Sequence, residues 1–247
     1  MIRTLRDFEE STLWRVSEFE RVREATGASG FAKLSRSTML SSTLMAELGR
    51  IETSRHGMDL LEVVAACIRQ REAALLLLEH DQLVWPVTLF PERMMLHSPT
   101  DFVAATAQGA DKVRLLSVDP PGVRPPGHWR NDRIADLEHY RPLQPLLWRL
   151  ALHGPRHRLL GEIAGSAAYR LVRRDGEPLA APGALGPALS RLHDVSASLS
   201  EIARWPGMST ERASRMLNAL YLNASLMVLR AHPSASSLRP SWLRPKR

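Results

Sequence analysis

Hydrophobic residues recur every three or four positions through much of the first 72 residues, a spacing that predicts amphipathic helices. The spacing holds from Leu5 to Ala25, from Met39 to Ile51 and from Asp59 to about Glu72. Asp59 suits the start of the last helix, because an aspartate side chain there accepts hydrogen bonds from backbone N–H groups. We therefore expect an N-terminal helical segment over residues 1–55 and a further helix at the start of the next unit.

Short apolar runs replace the helical spacing between residues 74 and 118. Runs of this length separated by turn residues are typical of β-strands. Pro86 lies inside the second run, so that strand is expected at an edge of the sheet or at a bulge. Residues 56–125 are thus predicted to form an α+β unit in which an antiparallel meander packs on the preceding helix. The candidate strands are Ala74 to Glu79, Leu83 to Phe90, Met94 to His97 and Lys112 to Val118.

Prolines and glycines interrupt the pattern in the middle of the chain. Pro-Pro-Gly occurs twice between Asp119 and Trp129, which is typical of a stiff connector or, alternatively, of a ligand for a partner's aromatic groove. Residues 126–182 are predicted to be a helical connector, with helices from Leu143 to His153 and from Arg158 to Arg173. The stretch from Asp175 to Pro187 is rich in Gly, Pro and Ala, which favours a domain boundary.

From residue 183 onward the pattern predicts a helix-turn-helix. Leu199 to Arg204 is a short helix, and Ser209 begins a longer helix that ends near Asn223. Gly207 lies in the turn between them, where a left-handed backbone conformation favours glycine. The small Ala203 lies where two crossing helices approach each other closely.

Over about 183–232 this arrangement resembles the winged-helix family, with the LMVLR segment at 226–230 as a wing strand. The resemblance implies that the helix begun by Ser209 enters the major groove of double-stranded DNA. It also implies contacts to base edges or phosphates from the residues expected on the exposed face of that helix, namely Thr210, Arg212, Ser214, Arg215 and Asn218. The basic tail would add a phosphate clamp from Arg239, Arg244, Lys246 and Arg247.

Two functions stay open for this module. Glu211 lies at the helix end that would approach DNA, and its negative charge disfavours that approach. Winged helices also serve purely as protein-binding modules, so an adaptor that contacts a protein is the alternative to a DNA-binding regulator. The LLEVVAACIRQRE helix, the strands after it and the LSEIARWPGMSTERA module are similar to the PatA-type domains of bacterial signalling proteins. That similarity implies a regulatory adaptor.

The charge of the chain is uneven. Residues 125–247 hold 18 basic and 9 acidic residues, whereas residues 1–124 hold 15 and 17, and the formal net charge is +7. A basic half can bind phosphates. The alternative is compositional bias, because 30 of the 33 basic residues are arginine.

No motif for catalysis or for a bound cofactor is present, and we predict neither an enzyme nor a metal site. His153 and His157 are four residues apart, but Gly154 and Pro155 between them would break the helix that could align them. The single Cys67 lies on the apolar side of its predicted helix and is expected to be a buried thiol.

These patterns predict an α+β fold that is mostly helical, with N-terminal helices, a small antiparallel sheet, and a winged-helix-like module with a basic tail over residues 183–247. The sequence shows no secretory signal and no span long enough for a membrane, which predicts a cytoplasmic location. Because symmetric DNA sites favour symmetric proteins, a homodimer is also expected, paired through the helices in residues 5–51.

Overall fold

A computed structural model describes residues 13–26, 39–54, 57–129, 131–172 and 185–231. The chain divides into two compact units, Met1–Pro155 and Arg156–Arg247. Most of the Asp175 to Pro187 stretch, which was predicted to be a boundary, lies outside the described residues.

The N-terminal unit is built on a six-stranded antiparallel sheet. Its strand order is β5-β2-β3-β4-β6, and β1 pairs with the beginning of β3. The strands are β1 (Trp14–Arg15), β2 (Ala74–His80), β3 (Leu83–Phe90), β4 (Met95–His97), β5 (Arg114–Asp119) and β6 (Tyr140–Pro142). The helices are α1 (Val16–Thr26), α2 (Ser42–Glu52), α3 (Leu60–Gln70), α4 (Phe102–Ala105) and α5 (Gln144–His153).

The prediction of a mostly helical fold with a small sheet is wrong. Over the residues that the structure describes, the protein is α+β, with 43% helix and 21% strand. Three of the six strands are only two or three residues long, and two of these three left no strand pattern in the sequence. One of them, Trp14–Arg15, falls within the stretch predicted as a helix from Leu5, and another, Tyr140–Pro142, falls within the predicted helical connector.

The hairpin of β2 and β3 forms the middle of this sheet. Asp81 and Gln82 join the two strands with φ values of 50° and 64°, the left-handed conformation that a tight hairpin turn needs at both central positions. Aliphatic residues of β2 are buried on both faces, and Leu75 and Leu77 share a cluster with Phe19 of α1. The sheet is therefore covered on both sides along this strand.

Pro86 occupies a central strand rather than an edge strand, which corrects the expectation from the sequence. Residues 83–84 of β3 pair with β1, and residues 88–90 pair with β4. Pro86 falls between these two stretches, where β3 pairs with β2 alone. The strand is locally an edge at this point, and a proline without an N–H donor is tolerated there.

The helix predicted from Asp59 is present. The Asp59 carboxylate accepts hydrogen bonds from the backbone N–H groups of Leu61 (2.9 Å) and Glu62 (3.2 Å). The helix packs against α2. It also holds Cys67, whose thiol is fully buried and has its pKa raised to about 12 by that burial.

The C-terminal unit has a three-stranded antiparallel sheet in the order β8-β7-β9. Its elements are β7 (Ala168–Leu171), α6 (Leu185–Asp194), β8 (Ala197–Ser198), α7 (Leu199–Ile202), α8 (Thr210–Leu222) and β9 (Leu226–Leu229). The helix predicted from Arg158 to Arg173 is wrong, because Ala168–Leu171 is a strand and the described residues before it are not helical. Its regularly spaced apolar residues, such as Leu159 and Ile163, lie in an irregular segment, and their side chains are buried.

The segment predicted as a wing strand is β9. Among the described residues its partner strand is β7. That partner comes before α6 in the chain and not after β9. Tyr169 and Leu171 of β7 are buried, whereas Arg170 between them is exposed. One face of this sheet therefore packs into the core, and the other, which we call the outer sheet face, carries Arg170, Val172 and Met227.

Candidate macromolecular interface in the C-terminal unit

The two helices of the predicted helix-turn-helix are present and pack against each other. Ser198 and Glu201 form a reciprocal capping box at the start of α7. Gly207 has φ 72° in the turn, as the glycine at that position predicts. Ser209 caps α8, since its hydroxyl accepts a hydrogen bond from the Arg212 N–H at 3.1 Å.

The residues of α8 that are fully exposed all lie in its first turn. Thr210, Glu211 and Arg212 are exposed. The Arg215 side chain retains 12% of its accessible surface. From Met216 to Leu220 every residue is buried.

Two of the predicted contact residues are not available at the surface. Ser214 is 2% exposed and Asn218 is fully buried, so the expectation that both lie on an outward face is wrong. The Ser214 hydroxyl donates to the Thr210 carbonyl within the helix. A short polar residue on an apolar helix gives no sign in the sequence of whether it faces solvent or a backbone segment.

Asn218 is bonded to the segment that precedes β7. The Leu160 N–H donates to Asn218 Oδ1, and Asn218 Nδ2 donates to the Arg158 carbonyl, each at 2.9 Å. The buried Arg156 guanidinium donates to the Arg158 and Leu159 carbonyls and so holds the same segment. The segment from 156 to 160 is thus bonded to α8 at Asn218, whereas Thr210 and Arg212 of the predicted DNA-reading face stay exposed.

The two arginines predicted to meet DNA are engaged within the unit. Arg212 Nη1 donates to the Gly207 carbonyl at 2.7 Å. Arg215 Nε donates to Glu211 Oε1 at 3.0 Å, and Arg215 Nη2 lies 2.8 Å from His157 Nδ1. Both guanidinium groups therefore have hydrogen-bond partners within the unit, and Arg212 is the one of the two that stays exposed.

His157, Glu211 and Arg215 form one charged cluster at the start of α8. His157 Nδ1 also lies 3.0 Å from Glu211 Oε1. Hydrogen bonds from His157 and then Arg215 hold the pKa of the Glu211 carboxyl below its usual range. A single Nδ1 cannot both donate to Glu211 and accept from Arg215, so the bonding of this cluster depends on the tautomer of His157.

Apolar side chains are exposed on the outer sheet face. Met227 is 45% exposed and Val172 is 41% exposed. Met227 is paired with the exposed Arg170 on the neighbouring strand. This surface was not predicted, because the sequence does not show which side of a four-residue strand packs on the core.

The four basic residues of the predicted tail clamp, Arg239, Arg244, Lys246 and Arg247, lie outside the described residues. Within the described ranges no group of three or more His, Cys, Asp or Glu side chains is arranged to hold a metal ion. No helix in those same ranges is long and apolar enough to cross a membrane.

Comparisons with known proteins identify no relative. No protein-family model matches the chain, and searches of curated proteins and of solved structures gave no significant match.

Proposed function

We propose that this chain is a non-enzymatic, cytoplasmic signalling or assembly adaptor of bacterial type, whose C-terminal unit resembles a winged helix and binds a protein. The observation that carries this proposal is the burial of Asn218 of α8 against residues 158–160. Asn218, the residue best suited to reading adenine, uses both ends of its amide on backbone groups of that segment.

The outer sheet face supports a protein as the partner. Exposed methionine and valine side chains favour an apolar contact, and methionine and arginine are enriched in protein–protein interfaces. Met227, Val172 and Arg170 supply these residue types on one face. DNA offers few apolar groups to such a surface, because most protein contacts to DNA go to phosphates and sugars.

A transcription regulator that binds double-stranded DNA is the second candidate. The excess of basic residues in 125–247 and the exposed first turn of α8 favour it. Against it, Glu211 is exposed in that turn, and the Arg212 and Arg215 guanidinium groups are already hydrogen-bonded to Gly207 and Glu211.

Site-specific photo-crosslinking in cells that produce the chain separates the two candidates. A photoreactive amino acid is placed at Arg170 or Val172 on the outer sheet face, at Thr210 on α8, and at the exposed Ser190 of α6 as the matched control. We expect one discrete protein adduct from positions 170 and 172, and none from position 190. A nucleic-acid adduct from position 210, with no protein adduct from 170 or 172, would contradict the adaptor proposal.

A further inference from the structure

β9 is an edge strand of the three-stranded sheet in the part of the chain that the structure describes. Among the described residues it pairs only with β7, in a regular register from Leu226 to Leu229. Its four residues, LMVL, include no charge and no proline, and the pairing shows no bulge. Natural edge strands usually carry such features to prevent another strand from pairing with them, so this edge is suited to receiving a strand.

The hydrogen-bonding groups that β9 presents outward can be identified from its pairing with β7. The Val172 N–H donates to the Ser225 carbonyl at 2.9 Å. Because the direction of backbone groups alternates along an antiparallel strand, Met227 and Leu229 also face β7. Leu226 and Val228 therefore direct their N–H and C=O groups to the open edge.

We infer that this edge pairs with β9 of a second copy of the chain, antiparallel and centred on Met227. In this register Leu226 of each copy lies opposite Val228 of the other, and each such pair exchanges two backbone bonds. About four hydrogen bonds then satisfy all the outward groups of both residues. Leu226 lies opposite Val228, Met227 opposite Met227 and Ser225 opposite Leu229, so no like charges meet.

The register makes the strand complementary to itself, which is the requirement for a two-fold interface. It joins the two three-stranded sheets into one six-stranded sheet with a continuous outer face. The two Met227 side chains lie on that face in a pair without hydrogen bonds between their backbones, where Cα atoms are about 4.5 Å apart. This dimer goes beyond the proposed function, since it forms whether the chain binds a protein or DNA.

Disulfide trapping of full-length Met227→Cys tests the inference. A Cα separation of about 4.5 Å lies within the range that a disulfide spans. The only native cysteine, Cys67, is fully buried with its pKa raised to about 12, so it does not compete for oxidation. We expect most of the Met227→Cys chain to become a covalent dimer under mild oxidation and to revert on reduction.

Two variants are the controls. Arg170 is exposed on the same face as Met227, but on β7, the strand next to β9. In the dimer the two β7 strands are about three strand spacings of 4.8 Å apart, so the two cysteines of Arg170→Cys should not cross-link. Val228→Pro removes an outward N–H without touching the bonds to β7. In the Met227→Cys background it should abolish cross-linking, and alone it should halve the mass measured by analytical ultracentrifugation, with an unchanged circular dichroism spectrum.

The outcomes are distinct. A wild-type monomer at all concentrations overturns the inference, as does a dimer in which Met227→Cys fails to cross-link. A Val228→Pro chain that unfolds leaves the decision to the cross-linking of Met227→Cys against Arg170→Cys. Failure of the dimer leaves the adaptor proposal standing, because that proposal is tested by adducts at positions 170 and 172.

Discussion

The sheets of the two units place similar apolar runs in opposite environments. In the N-terminal unit, the LLLL run of β2 lies between two neighbouring strands, and Leu75 to Leu78 are at most 2% exposed. In the C-terminal unit, the LMVL run of β9 is an outer strand, and Met227 is 45% exposed. An apolar run therefore contributes to the core when both faces are covered, and becomes available for binding when one face and one edge stay open.

Truncating a side chain in the covered sheet should have the largest effect. Leu78→Ala removes a fully buried side chain from β2 and leaves a cavity, which lowers the free energy of unfolding by about 2–5 kcal/mol. Urea unfolding followed by circular dichroism measures the change. A loss below about 1 kcal/mol would show that β2 is not packed on both faces.

His97 on β4 should make the stability of the N-terminal unit depend on pH. Burial, followed by the charges of His139 and Arg141, lowers the pKa of this imidazole from 6.5 to about 4. Below pH 6.5 the unfolded chain binds a proton that the folded chain does not, so stability decreases as pH falls toward 4, by about 3 kcal/mol.

The matched variant for this pH dependence is His97→Phe, which keeps a ring beside Tyr140 but cannot be protonated. Urea unfolding at pH 7.5, 6 and 4.5 should show a steeper loss of stability in the wild type than in the variant. Parallel curves for the two proteins would mean that His97 is not the buried titrating group.

Asn218→Ala tests whether Asn218 of α8 stabilises the folded unit or is free to read DNA. The substitution leaves the Leu160 N–H and the Arg158 carbonyl without their side-chain partner. Unsatisfied buried groups cost about 1–3 kcal/mol, and we expect a loss of this size in urea unfolding. A DNA-reading asparagine at the surface would instead leave stability unchanged. Asn223→Ala, directly after the last residue of the helix, is the control, since among the described residues its side chain donates only to the Ala219 carbonyl one turn earlier.

Met227→Lys should have the smallest effect on the folded unit. The side chain is 45% exposed, and surface substitutions usually change the free energy of unfolding by less than about 0.5 kcal/mol. The lysine nevertheless places like charges together in the register centred on residue 227. A shift to monomer at unchanged stability is expected from ultracentrifugation, and a large loss of stability would mean that β9 is part of a covered core.

The sequence predicted the elements whose signals are local. Asp59 marked its helix because a cap acts within one turn, and the bounds of β3 followed from one run rich in apolar residues. The two-residue β1 and three-residue β6 were missed, because they exist through pairing with distant strands. Leu159 and Ile163 had helical spacing, but their burial depends on a segment folded against α8 rather than on a helix of their own.

The candidate site was predicted less well for the same physical reason. The turn glycine and the Ser209 cap depend on neighbouring residues and were predicted from them. The direction of Asn218 depends on backbone groups about 60 residues away. A polar residue in a helix has the same appearance in sequence whether it binds a nucleotide base or a peptide group, so only the folded chain distinguishes the two.

A duplex-DNA titration at two salt concentrations tests the central claim most directly, namely that α8 is turned toward its own unit. The full-length protein and the double variant Arg212→Ala, Arg215→Ala are compared by fluorescence anisotropy. If the claim holds, both proteins bind DNA weakly and alike, because Asn218 is buried and the Arg212 and Arg215 side chains are hydrogen-bonded within the unit. Tight binding by the wild type that weakens steeply with salt and is lost in the double variant would contradict it.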